Sequence, residues 1–169
     1  MTSYTLALLT GDGIGRDVMV EAEKILSVIE QLTPISLTIN KIPCGGEHYL
    51  ETGEEWPEGS FDFCRDEADA ILLGAVGWPG AITESGDLAG GSVILGIRSG
   101  LDLYANVRPI RLYEGVQHNI HGEFSQVWKP GMVDMLIIRD NTEGLYHSLL
   151  RRSAEHAQGR YSWDPESMQ

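Results

Sequence analysis

Cysteine, positive charge and long apolar runs are all scarce in this chain. Only two cysteines, Cys44 and Cys64, occur in 169 residues. Their spacing fits no zinc or redox motif, and two thiols cannot build a disulfide framework, so both are expected as reduced core residues. Lysine and arginine number 12 against 25 acids, a formal net charge of −13. Such a surface repels phosphate backbones and anionic lipid, which argues against nucleic acid and membranes as partners. No apolar run approaches a membrane span, and the opening "MTSYTLALLTGDG" lacks the basic leader of a signal peptide, so a cytoplasmic protein is expected. What remains is an apolar content of 42%, close to the ordinary globular range, on a length that fits one domain.

The order of elements predicts an α/β fold. Tyr4–Thr10 reads as a buried strand ended by glycine, and 17–29 as a helix with Val18, Ala22, Ile25, Leu26 and Ile29 on one face. Asp12 or Asp17 would cap that helix or favour its positive end. "ISLTINKIP" is a second strand, followed by short helices around 47–52 and 61–67, and "DAILLGAVG" is a third buried strand. Strand, helix, strand, helix, strand predicts an open, mostly parallel sheet with flanking helices. The segment "GWPGAITESGDLAGGS" holds five glycines and reads as a long loop. "SVILGIRSGLDLYA" resumes as a helix with Ser92 as its N-cap, "YANVRPIRLY" is extended, and "VDMLIIRD" is another buried strand.

The glycines of "TGDGIGRDV" resemble a dinucleotide fingerprint but fail it. The third glycine comes one position early, Arg16 fills its place, and no acid closes the second strand. A tight strand-to-helix turn explains the glycines equally well. Arg98, Arg108 and Arg139 stand at predicted strand and helix ends, where three guanidiniums would suit a substrate with two or three carboxylates. Ordinary ion pairs to the chain's many acids fit the same residues, and spacing alone does not separate the two readings. Tyr146 reads as a packed phenol, and "HNIH" at 118–121 as a solvated loop without a third metal ligand.

Taken together, "GDGIGRDV", "GAVGWP", "IRSGLDLYANVRPIR" and "DMLIIRDNTEGLYHS" resemble the β-decarboxylating dehydrogenases, the family of isopropylmalate, isocitrate, homoisocitrate and tartrate enzymes. The motifs run in family order across nearly the whole chain. The resemblance implies NAD(P)-dependent oxidative decarboxylation of a 2-hydroxy acid whose carboxylates are gripped by Arg98, Arg108 and Arg139. Tyr146 matches the tyrosine that protonates the enolate after carbon dioxide leaves. Ile94 and Leu95 match the helix turn that meets the substrate's variable group. Ile14, Gly77, Trp78, Pro79, Gly91 and Ser92 match positions along NAD or NADP. Mg2+ or Mn2+ is implied, with ligands in a part of the family chain that this sequence does not reach.

The resemblance also implies domain bounds: 1–103 as the N-terminal part of the large cofactor-binding domain, and 104–169 as the beginning of a substrate and dimer-arm domain. The expected partners are a small anionic hydroxy acid and either a second copy or a complementary C-terminal half. The chain is accordingly expected to be incomplete in fold and inactive alone. A non-catalytic regulatory subunit that keeps the arginine pocket is the alternative. Two specificity signals conflict. Apolar Ile94 and Leu95 argue against isocitrate, whereas "DNTEGLY" looks more like the homoisocitrate, isocitrate and tartrate branches. Gly91 departs from the isopropylmalate members, which carry a glutamate there, and Arg16 and Asp17 replace the proline and glutamate common after the first loop.

Overall fold

A computed structural model describes residues 2–141. The chain divides into a unit up to Leu101 and a second from Asp102 onward. The first unit carries a three-stranded parallel sheet in the order β2-β1-β3, formed by β1 (Thr2–Gly11), β2 (Ile35–Ile42) and β3 (Ala70–Ala75). The helices are α1 (Ile14–Leu32), α2 (Gly46–Thr52), α3 (Ser60–Asp66) and α4 (Gly91–Gly100). The α/β expectation holds.

Alternation along β1 divides the core between the two faces of the sheet. Ala7 and Leu9 join Ile42, Cys44, Cys64, Val93 and Ile97 in one cluster, so α3 and α4 cover that face. On the other face lies fully buried Leu8, and Met19 of α1 reaches the backbone at Gly74. Both cysteines are buried and free, as expected of core thiols.

Several local expectations are corrected. Helix α1 begins at Ile14, three residues early, and buries Gly15 and Met19. Val18 and Ile25, expected on the buried face, are 54% and 63% exposed. The register moved because Gly15 is part of the contact: a Cβ there would stand 2.5 Å from the Thr10 carbonyl oxygen. Asp12 does not cap α1, whose N-cap is Gly13 without a side-chain bond, whereas Asp17 does lie in the first turn. Ser92 is not the N-cap of α4; Gly90 is. The 77–92 loop folds back on itself, with Ile82 bridged to Leu88 and the Ala89 amide bonded to the Ala81 carbonyl at 2.9 Å.

Among its described residues the second unit holds two small antiparallel ribbons. β4 (Ala105–Arg111) pairs with β7 (Asp134–Asp140), and β5 (His118–Ile120) with β6 (Glu123–Ser125). The "HNIH" segment is therefore partly strand rather than loop, and the His118 ring meets Trp128 edge-on at 5.0 Å. "VDMLIIRD" forms the strand expected of it, but not a buried one. Met135, Leu136, Ile137 and Ile138 are 49%, 57%, 44% and 63% exposed, so both faces of β7 are open. Among the described residues no second layer covers this two-stranded ribbon.

Candidate functional site

The opening turn owes its shape to an acid rather than to a bound phosphate. Gly11 adopts φ +72°, and a Cβ there would lie 2.0 Å from the Ala75 carbonyl oxygen, so only glycine fits between β1 and β3. The next residue, Asp12, is 2% exposed. Its Oδ2 accepts the Gly46 and Gly77 amides at 2.8 and 2.7 Å, and its Oδ1 accepts the Glu47 amide at 2.9 Å. One carboxylate thus ties the turns after β1, β2 and β3. In an open parallel sheet, ligands usually enter where these turns diverge. Here the amides at that crevice are bonded to the protein itself, which is the physical reason the fingerprint fails.

Around this knot lie the cofactor-matched residues of the first unit. Ile14 opens α1 with 69% exposure, and Trp78 passes over Gly13, its Cζ3 3.5 Å from where a Cβ would stand. Gly77 donates to Asp12, and Pro79 follows on the surface. Gly91 and Ser92 begin α4, and a Cβ on Gly91 would meet nothing. Exposed apolar surface at Ile14 and Trp78, with open space beside Gly91, fits the flat ring end of a nicotinamide cofactor. It does not fit a diphosphate, since the Gly77, Gly90 and Ser92 amides are already held by carboxylates. The recess at the ends of β1 and β2, lined in part by Thr10, Arg16, Cys44 and His48, is only about 150 Å³, too small for a dinucleotide. Cys44 offers no nucleophile there, because burial pushes its thiol up to about 11.

The three arginines sit on three elements, Arg98 on α4, Arg108 on β4 and Arg139 on β7. On α4, Val93 and Ile97 face the core, while Ile94, Leu95 and Arg98 share the opposite side at helical spacing and are half-buried. On the β4–β7 ribbon, Asn106 stands opposite Arg139, and Arg108 lies two residues further along the same face. The two guanidiniums therefore project from one side at diagonal positions, roughly 7–8 Å apart at the backbone. Arg108 Nε donates to Asn106 Oδ1 at 3.1 Å. Among the described residues neither Arg98 nor Arg108 forms an ion pair. Arg111 does, pairing with Asp134 at 3.2 Å. Tyr146 lies outside the described residues. No group of three or more metal-ligating side chains occurs among the described residues.

Sequence reasoning missed three residues that organise these elements. Asp12 is expected there to cap its own helix, and neither Glu55 nor Asn106 is singled out. Only Asn106 left a local signal, an amide two residues from Arg108 on a predicted strand.

Residues 5–168 match the family model described as isocitrate/isopropylmalate dehydrogenase. The chain belongs to that family. It is 36% identical over 146 residues to the 3-isopropylmalate dehydrogenase of Prochlorococcus marinus, covering 86% of this chain and 39% of that protein. Against the 3-isopropylmalate dehydrogenase of Saccharopolyspora erythraea it is 40% identical over 154 residues, covering 89% and 40%. The crystal structure of isocitrate dehydrogenase from Methylococcus capsulatus superposes with a TM-score of 0.64 at 25% identity, over 85% of this chain and 36% of that one. The chain thus spans about two-fifths of the length of the curated relatives it matches. No described helix is long and apolar enough to cross a membrane.

Proposed function

We propose that this chain supplies the substrate grip of an NAD(P)-dependent β-decarboxylating dehydrogenase acting on a 2-hydroxy dicarboxylic acid of the 3-isopropylmalate type. The observation that carries the proposal is the pairing of Arg108 and Arg139 on one face of the β4–β7 ribbon. Guanidiniums at diagonal positions on one face are spaced so that both forks can donate charge-assisted hydrogen bonds to one ligand carboxylate. In the first unit, taken by itself, Arg98 of α4 offers a carboxylate fork with apolar Ile94 and Leu95 beside it. Alkyl surface beside a guanidinium suits a substituent such as isopropyl and disfavours a third carboxylate. The names of the two curated relatives point the same way, and homoisocitrate and tartrate or malate types stand behind isopropylmalate, with isocitrate last.

The residues divide the work as follows. The arginines hold the departing carboxylate and its neighbour in fixed orientation, so the developing charge meets preorganised cations. NAD or NADP, when bound, supplies the hydride acceptor. Ile14 and Trp78 offer the apolar surface that would pack against its ring. The phenol of Tyr146 delivers a proton to the enolate carbon once carbon dioxide has left. Calorimetric titration of the chain with 3-isopropylmalate, homoisocitrate, tartrate and isocitrate tests the reading. 2-Hydroxy-4-methylpentanoate, with a single carboxylate, is the control. Saturable binding of 3-isopropylmalate and none of the monocarboxylate is expected. Equal binding of both, or binding of no hydroxy acid, refutes it.

A further inference from the structure

We infer that Glu55 is a positioning residue for the first turn of α4, and that the charge it seats there biases the adjoining face toward a neutral substrate substituent. The inference rests on the proposed reading of α4 as the helix that meets the substrate. Glu55 belongs to the segment between α2 and α3, far from α4 in sequence. Its Oε2 accepts the Gly90 amide at 2.6 Å and the Ser92 amide at 3.0 Å. Its own carbonyl accepts the Gly45 amide at 2.8 Å, one residue from the amides held by Asp12. A single side chain and its backbone therefore fasten the start of α4 to the knot at the end of the sheet.

Helix α4 needs that fastening. Gly91, Gly96 and Gly100 lower its propensity, as do β-branched Val93, Ile94 and Ile97. Its N-cap, Gly90, has no side chain to offer the open amides. Gly90 also sits at φ +97°, and a Cβ there would fall 2.3 Å from Val76 Cγ1, so a residue with a capping side chain does not fit in its place. The Ile94 amide reaches the Gly90 carbonyl only at 3.4 Å. Loosening of this turn therefore moves Ile94 first, and Arg98 one turn later. Electrostatics adds a second effect. A helix start carries about half a positive charge, and a full carboxylate seated on it leaves that end negative. A third carboxylate on a ligand would meet net repulsion there, whereas an alkyl group would not. Ile94 and Leu95 favour the same outcome by independent chemistry.

The test compares the full chain with Glu55→Gln and Glu55→Ala in two measurements. The first is amide hydrogen exchange at Ser92 and Ile94. Glutamine keeps an oxygen that accepts both amides, so exchange should stay slow in Glu55→Gln and quicken about fivefold or more in Glu55→Ala. Equal exchange in all three proteins overturns the positioning role. The second is the ratio of isocitrate to 3-isopropylmalate affinity, read by calorimetry. Removing the charge in Glu55→Gln should shift that ratio about two- to fivefold toward isocitrate. An unchanged ratio, with slow exchange retained, overturns the charge effect alone. Failure of the underlying reading looks different: Arg98→Lys would then bind both acids as the unaltered chain does, whatever Glu55 does to exchange.

Discussion

Replacing Asp12 should unfasten the turns of the first unit, and the size of the effect follows from its bonds. The carboxylate is 2% exposed and accepts three amides, from Gly46, Glu47 and Gly77, at 2.7 to 2.9 Å. Alanine leaves those donors without an acceptor, and each buried orphan costs about 1–3 kcal/mol. Shared relaxation makes the three costs less than additive, so about 3–5 kcal/mol is the expected total, a large part of a small unit's stability. Asparagine separates geometry from charge. Its one oxygen can keep the two amides now on Oδ2, but its NH2 then faces the Glu47 amide, donor against donor. About 1–3 kcal/mol is expected for that change. Urea unfolding followed through Trp56 and Trp78 fluorescence reads both variants. With an m-value of about 1–3 kcal/mol/M, Asp12→Ala should lower the midpoint by at least about 1 M, and Asp12→Asn by less. A midpoint for Asp12→Ala within about 0.3 M of the unaltered chain would refute the knot as the organiser of these turns.

Two further predictions concern the core and the surface. Burial pushes the Cys44 thiol from 9.0 to about 11 and moves Cys64 in the same direction. The fold therefore keeps protons that the unfolded chain releases. The Cys44 contribution is complete below about pH 9 and is lost as pH rises toward 11, a fall of about 2–3 kcal/mol. Urea midpoints from pH 8 to 11 should show this alkaline loss, and Cys44→Val should reduce it; an equal loss in Cys44→Val contradicts the assignment. On α1, Ile14, Val18, Ile25 and Leu32 recur at spacings of four and seven residues and are 69%, 54%, 63% and 80% exposed. Such a stripe promotes association. Val18→Lys with Ile25→Lys should lower the sedimentation-average mass with little change in melting temperature, and an unchanged mass would count against the stripe.

How much of this was legible in the sequence depended on the range of each interaction. Short apolar runs located β1, β2 and β3, because a covered parallel strand leaves its signature within its own residues. The same signature misled at β7, where "MLII" encodes a strand apt for cover on both faces but says nothing of what covers it. On α1 the face was set by Gly15, which no hydrophobic pattern counts, since its contribution is the absence of a side chain. Asp12 and Glu55 were opaque for a different reason. Each is a surface-type residue in a glycine-rich turn, and its partners lie more than thirty residues away. The arginines stood out as a set only through the family resemblance, since their spacing alone left ordinary ion pairs open. That Arg108 and Arg139 share a face required the β4–β7 register.

The paired arginines are the centre of the account, and Arg108→Lys tests them most directly. Lysine keeps the charge and the strand but loses the fork that bridges a carboxylate. Arg108 is exposed, and its described hydrogen bond is to Asn106, so folding should be little affected. The measurement is the dissociation constant of 3-isopropylmalate for the unaltered chain and for Arg108→Lys, at matched salt and pH. The account predicts saturable binding that weakens about tenfold or more in the variant. Equal dissociation constants for the two proteins would contradict it.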